Sequence, residues 1–154
     1  MAQYVFEHLA RERGAGERFY VDSAATSREE IGNGVHRGTR KKLAEMGIAC
    51  GSHRARQMTR ADYDAFDLIV GMDDENLDGI YRILSGESGY GWGWRPFDRD
   101  EVAKADPEGK VHLLLDWSAR PRDIADPWYS GNFDATFDDV LEGCMALLDC
   151  LLAE

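Results

Sequence analysis

The sequence predicts an α/β protein with a doubly wound parallel sheet, and three observations carry that prediction. Short apolar runs alternate along the chain with amphipathic helical stretches. One run, Leu68-Ile69-Val70-Gly71-Met72, is continuously apolar, as a strand buried on both faces is. The last stretch carries Phe137, Val140, Leu141, Cys144, Leu147, Leu148 and Leu151 at helical spacing. Strands alternating with helices connect in parallel and are covered on both sides. Ligands of such sheets sit outside the carboxyl ends of the strands.

The elements follow in order. Val5, Phe6, Leu9 and Ala10 form an apolar stripe that predicts a helix over residues 2–13. No capping residue precedes it, and Gly14 and Gly16 stop it. Phe19-Tyr20-Val21 reads as a short strand that runs into Asp22-Ser23-Ala24-Ala25-Thr26-Ser27. Residues 31–38 hold three glycines and read as a loop. A helix over 39–46 follows, closed by Gly47. Thr59 reads as the N-cap of a helix through Phe66, with Asp62 completing a capping box. Residues 67–72 form the clearest strand, and Asp73 opens a helix carrying Leu77, Ile80, Tyr81 and Leu84. Residues 86–109 read as an irregular insertion loop in which Gly89, Gly91 and Gly93 alternate with Tyr90, Trp92 and Trp94. Val111 to Leu115 is the last strand. Three strands make a thin sheet, and this class ordinarily opens with a strand rather than a helix.

Bulk properties narrow the function. A chain of 154 residues predicts one domain, spanning 1–154, with a real core. Lys+Arg number 18 against 29 Asp+Glu, a net charge of −11. That excess argues against a nucleic-acid partner, whose phosphates would go unneutralised, and against an anionic membrane surface. No apolar run is long enough to span a bilayer. The odd set Cys50, Cys144 and Cys150 is not a disulfide framework. The expected compartment is the cytoplasm.

Late in the chain stands Asp126-Pro127-Trp128-Tyr129-Ser130-Gly131. Proline fixes its own φ and holds Asp126 extended, while Gly131 permits a backbone angle other residues resist. A rigid turn with one carboxylate and two rings can present an acid to a ligand. Equally, its aspartate can simply start the helix that follows.

The motifs taken together resemble a known family. They are Asp22-Ser23-Ala24-Ala25-Thr26-Ser27, Gly32, His53-Arg54-Ala55-Arg56-Gln57, Asp62, Phe66-Asp67, Met72-Asp73, Glu75-Asn76-Leu77 and Asp126-Pro127-Trp128-Tyr129. In this order and spacing they resemble the low-molecular-weight protein-tyrosine phosphatases, which also include related arsenate reductases. The resemblance implies a phosphotyrosine phosphatase I-like fold and hydrolysis of aryl phosphate monoesters through a phosphocysteine, with no cofactor and no metal. It makes Asp126 the general acid. Trp128 and Tyr129 become the wall of the slot for the substrate ring, and Ser23 and His53 supports for the phosphate loop. The implied partner is a phosphotyrosine-containing protein or a small aryl phosphate. Some family members place an aromatic residue about two positions after the serine matching Ser27. Arg28-Glu29-Glu30 stands there instead, which implies a different substrate preference.

The family's phosphate loop is a cysteine, five residues, an arginine and Ser-Pro, placed between the first strand and the first helix. Met1 to Phe6 resembles the sequence just after that Ser-Pro. On this resemblance the first strand, the nucleophile and the phosphate-gripping arginine are absent from this chain. The simplest origin is a start codon at an internal methionine. The expectation is little or no activity, low stability and self-association through neighbours of a missing inner strand. The alternative is a catalytically dead pseudo-phosphatase acting as a binding module.

Other readings are weaker. Cys50 to Arg56 also spells a cysteine, five residues and an arginine, but no buried strand leads into it and no helix follows directly. Asp62, Asp64 and Asp67 lack the glycine and glutamate of a calcium loop. A phospho-receiver reading of Asp73 lacks its acidic pair and its Lys-Pro.

Overall fold

The computed structural model describes residues 1–86 and 96–154. Ala2–Glu12 forms helix α1, with Val5, Phe6 and Ala10 buried on the stripe the sequence marks and Tyr4 buried beside them. As expected, Met1 supplies no side-chain cap. Gly14 takes φ +66 at the exit, and a 3-10 turn follows at Gly16–Arg18.

The strand expected at Phe19–Val21 does not form. The backbone is extended at Phe19, but among the described residues this segment enters no ladder, and a strand exists only through its partner's hydrogen bonds. Tyr20 is left 81% exposed, stacked on Phe66. Pairing comes later and is a single parallel bridge between Ala25 and Gln57. Ala25 N–H donates to Arg56 O and accepts at its carbonyl from Met58 N–H, both at 2.8 Å.

Helix α2 spans Arg37–Glu45, two residues earlier than the sequence suggests. The cause is His36, whose Nδ1 accepts from Gly38 N–H at 3.0 Å and caps the helix from within the expected loop. Arg60–Ala65 forms α3, where Asp62 accepts from Thr59 N–H at 2.8 Å as the capping-box reading requires. Ile69–Gly71 is strand β1. Asp74–Ser85 is α4, capped by Asp73 through Asn76 N–H at 2.8 Å.

Inside the stretch expected to be irregular lies a further helix, α5, Arg99–Ala105. Asp98 accepts from Asp100 and Glu101 N–H, and Glu101 returns a carboxylate to Asp98 N–H. The aromatic cluster of Tyr90, Trp92 and Trp94 lies outside the described residues. Strand β2, Val111–Leu113, ends two residues short of expectation because Asp116 takes Leu113 N–H and starts a 3-10 turn at Leu114–Trp117. Pro127–Ser130 is the short α6, and Phe133–Ala153 the long α7.

Among the described residues the sheet has two strands rather than three. They run parallel, with Ile69 opposite Val111, Val70 opposite His112 and Gly71 opposite Leu113. Its two faces bury different clusters. Leu68, Val70 and Met72 pack toward α1, α7 and Leu43 of α2. Ile69 and Val111 pack toward Tyr63 of α3, Ile80 and Leu84 of α4 and Ala105 of α5. This alternation is the period of two that a strand covered on both faces must show. The architecture is α/β with a parallel sheet, as the sequence predicts. Among the described residues no helix is long and apolar enough to cross a membrane.

Candidate active site

The loop bearing Asp126 is tied to the carboxyl end of β1. Ile124 N–H donates to Met72 O at 2.8 Å, one residue past the strand. Thr136, on α7, donates its hydroxyl to Ala125 O at 2.9 Å. Arg122 reaches Asp139 and Glu142 of α7 and fixes the approach to the loop. Those two carboxylates raise the Arg122 guanidinium above its ordinary value.

Asp126 is the N-cap of α6. Its Oδ1 accepts from Trp128 N–H at 2.8 Å, with Pro127 at the first helical position and Gly131 closing at φ +68. Both readings of this turn therefore meet in one residue, since the aspartate starts a helix and stands exposed on a held loop. Trp128 and Tyr129 are 65% and 83% exposed, unusual for large rings and typical of surfaces that bind something.

Ser23 and His53, each named from the sequence as a support for the phosphate loop, lie side by side within a longer row. Ser23 Oγ lies 2.7 Å from Gln3 Oε1 and 3.2 Å from His53 Nε2. His53 Nδ1 lies 3.5 Å from Asp22 Oδ1. Asp22 Oδ2 accepts from Arg56 Nε and Nη2 at 3.0 and 2.9 Å. Arg56 also grips both carboxylate oxygens of Asp62 at 3.0 Å.

Proton bookkeeping decides what this row can do. The Gln3 amide is oriented by its Nε2, which donates to Glu7 Oε1 and to Val21 O. Its oxygen must then accept, so Ser23 donates to Gln3. A hydroxyl has one proton, so His53 Nε2 is the donor toward Ser23. An imidazole with its proton on that nitrogen cannot take the serine's proton. The Ser23–His53–Asp22 row thus has the parts of a relay in the wrong protonation arrangement.

Asp62 is held below its ordinary carboxylate value, chiefly by the hydrogen bonds from Arg56. Arg56 is raised in turn, first by Asp62. With its fork closed on two carboxylates, Arg56 is not arranged to grip an oxyanion. Cys50, the other end of that cysteine-arginine spacing, is half-buried with Sγ 3.7 Å from Gly51 O.

A cavity of about 230 Å3 lies against this row, lined by Met1, Gln3, Tyr4, Ser23, His36 and His53 among others. Tyr4 is buried there, and its hydroxyl has no hydrogen-bond partner among the described residues. The sequence reading missed His36. Its ring lies 5.5 Å from that of Trp128, edge to face, and 5.5 Å from that of Phe133, stacked. His36 thus lines the cavity while its ring lies against Trp128 of the Asp126 loop. Only its position just before the glycine-containing start of α2 signalled it. Arg56 stood in a quoted motif, but its two carboxylates are far apart in sequence. Among the described residues no three His, Cys, Asp or Glu side chains gather as a metal-holding group.

The family model described as low molecular weight phosphotyrosine protein phosphatase matches residues 1–88. The chain belongs to the low molecular weight phosphotyrosine protein phosphatase family. A low molecular weight protein-tyrosine-phosphatase of Bacillus subtilis, YfkJ, is 31% identical over 156 residues, covering 100% of this chain and 88% of that protein. A low molecular weight phosphotyrosine protein phosphatase of Pongo abelii is 34% identical over 145 residues, covering 94% of this chain and 80% of its own. The crystal structure of the Bacillus subtilis YfkJ superposes with a TM-score of 0.81 at 28% identity, over 99% of this chain and 85% of that one. The family-model match takes in Ser23, His53 and Arg56 and ends before Asp126. Alignment with the phosphatase of Bacillus subtilis covers the Asp126 loop as well.

Proposed function

We propose that this chain is the acid-loop and ring-binding part of a phosphatase for aryl phosphate monoesters, phosphotyrosine above all. In this reading Asp126 protonates the departing tyrosyl oxygen and then accepts a proton from the water that frees the phosphate. Trp128 and Tyr129 hold the substrate ring. Ser23 and His53 brace the loop that carries the thiolate, and that thiolate attacks phosphorus to give a phosphocysteine. Among the 154 residues none spells that loop in a suitable setting. The carrying observation is Asp126 itself, an exposed carboxylate locked at a helix start beside two exposed rings, in a chain of phosphatase lineage.

A second reading is favoured by the thiols. Cys144 is buried, Cys150 lies in the last turns of α7, and Cys50 faces a backbone carbonyl. The 154-residue polypeptide then binds aryl phosphates without hydrolysing them. Among the described residues the Phe19–Val21 segment enters no strand ladder, which supports the further proposal that the chain self-associates through a strand edge; gel filtration over a range of concentrations tests it.

Hydrolysis of p-nitrophenyl phosphate and phenyl phosphate separates the readings. The 154-residue chain is expected to turn over neither. Extending it with a strand and a cysteine, five-residue, arginine, Ser-Pro loop should restore turnover. In that form Asp126→Asn should slow phenyl phosphate by about 10²-fold or more. It should slow p-nitrophenyl phosphate much less, because that leaving group departs without a proton. Equal slowing of the two substrates would remove Asp126 as general acid. Strong turnover by the 154-residue chain, abolished by Cys50→Ser, would overturn the placing of the nucleophile outside these residues.

A further inference from the structure

We propose that His36 is a specificity-determining residue, forming with Trp128 the ring-binding wall between the acid loop and the Ser23–His53 cavity. The inference rests on the acid-loop reading above and names a residue that reading does not contain. Three observations carry it.

The first is placement. His36 lines the cavity that holds Ser23 and His53, and its ring contacts Trp128 edge to face at 5.5 Å. Trp128 follows Asp126 by two residues and donates its backbone N–H to that carboxylate. A ring seated against Trp128 therefore comes next to His36 and the acid together.

The second is orientation. The His36 ring cannot turn freely, because Nδ1 accepts from Gly38 N–H and one face lies on Phe133 at an interplanar angle of 10°. Gly38 in turn packs so closely on Phe133 that a methyl group there would fall 2.3 Å from a ring carbon. Helix α2 and helix α7 thus fix one imidazole between them. A fixed aromatic surface loses little entropy when it takes a ligand.

The third is chemistry. In the neutral ring the proton sits on Nε2, because Nδ1 is an acceptor. The wall accordingly offers an aromatic face and one N–H donor, which suits a phenyl ring carrying an oxygen substituent. An aliphatic phosphate would gain only the donor.

The test uses the 154-residue chain labelled with nitrogen-15, titrated with phenyl phosphate, with p-cresol and with inorganic phosphate while the Trp128 indole N–H is followed. His36→Asn keeps a short side-chain acceptor at the start of α2 and removes the ring. His36→Phe keeps an aromatic ring and removes both the Nδ1 acceptor and the Nε2–H donor. Phenyl phosphate and p-cresol are expected to move the Trp128 signal in the parent chain. Their affinity should fall about three- to tenfold in His36→Asn and stay within about twofold in His36→Phe, the scale of one lost aromatic contact. Inorganic phosphate has no ring to seat, so its response should be weak in the parent and change by no more than about twofold in either variant.

If both ring ligands move Trp128 with equal affinity in the parent and in His36→Asn, this inference fails and the acid-loop slot stands. If His36→Phe loses as much as His36→Asn, the contribution comes from the imidazole N–H and not from an aromatic wall, and the inference fails again. If neither ligand moves Trp128 in the parent, the slot reading and this inference fall together.

Discussion

The hydroxyl of Ser23 stands 3.2 Å from Nε2 of His53, and Gln3 decides which of the two donates. Because the Gln3 amide nitrogen is committed to Glu7 and Val21, its oxygen accepts from Ser23, and His53 must donate to the serine. The pair is then an ordinary hydrogen bond between part-buried groups, worth about 0.5–1.5 kcal/mol. A double-mutant cycle on Ser23→Ala and His53→Ala, read by urea unfolding, should return a coupling energy of that size. A coupling near zero would mean the two side chains do not meet in solution.

Arg56 joins Asp22, from the segment leading out of α1, to Asp62 at the start of α3. The Arg56 side chain is 37% exposed, so solvent screens the pair. Arg56→Met should cost about 1–2 kcal/mol at neutral pH, not the 3–5 of a fully buried bridge. The sign with pH is set by Asp62, whose folded carboxyl is depressed by Arg56. Its contribution is present above the ordinary carboxylate value and is lost as pH falls through the lower folded value. The stability gap between parent and Arg56→Met should therefore be widest near neutrality and shrink below about pH 4. Thermal unfolding over that range checks it, and a gap that widens on acidification would contradict the assignment.

Gly38 supports the site from behind. An added methyl would lie 2.3 to 2.7 Å from three carbons of the Phe133 ring. That ring stacks on His36, which touches Trp128. Gly38→Ala must displace Phe133, at about 1–3 kcal/mol by the usual scale of overpacking. Within a helix alanine would otherwise be favoured over glycine by about 1 kcal/mol, so the sign itself is informative. A lowered melting temperature together with a shifted Trp128 indole signal is expected. A raised melting temperature would show that Phe133 relaxes freely.

Much of this was legible in the sequence, and the gaps have physical causes. The helices were readable because their signals are local, a stripe of apolar residues and a cap at a fixed offset, as with Thr59 and Asp62 or Asp73 and Asn76. Asp98 and Glu101 carry the same signal for α5 and were passed over because glycines and tryptophans dominate that stretch. Phe19–Val21 has the composition of a strand, yet strand formation is settled by a partner far away in the chain. The motif order pointed to the family and to Asp126, Trp128, Ser23 and His53. His36 stayed hidden because its importance lies in two rings about a hundred residues away, Trp128 and Phe133, which no spacing rule connects to it.

The three thiols should differ sharply in reactivity. Cys144 is 1% exposed on the inner face of α7, its Sγ pointing to Ala2 O at 3.7 Å. Burial pushes its pKa up to about 12, so almost none is thiolate at about pH 8, and the thiolate is the reacting form. Cys150, six positions further along the same helix, is exposed. Brief treatment of the folded chain with iodoacetamide should label Cys150 and spare Cys144, as read by peptide mass spectrometry. Cys144 should become labelled only in step with global unfolding, for instance across a urea series. Labelling of Cys144 in the native state at the rate of Cys150 would mean that α1 and α7 part readily, and would undo the packing on which the anchorage of the Asp126 loop to α7 depends.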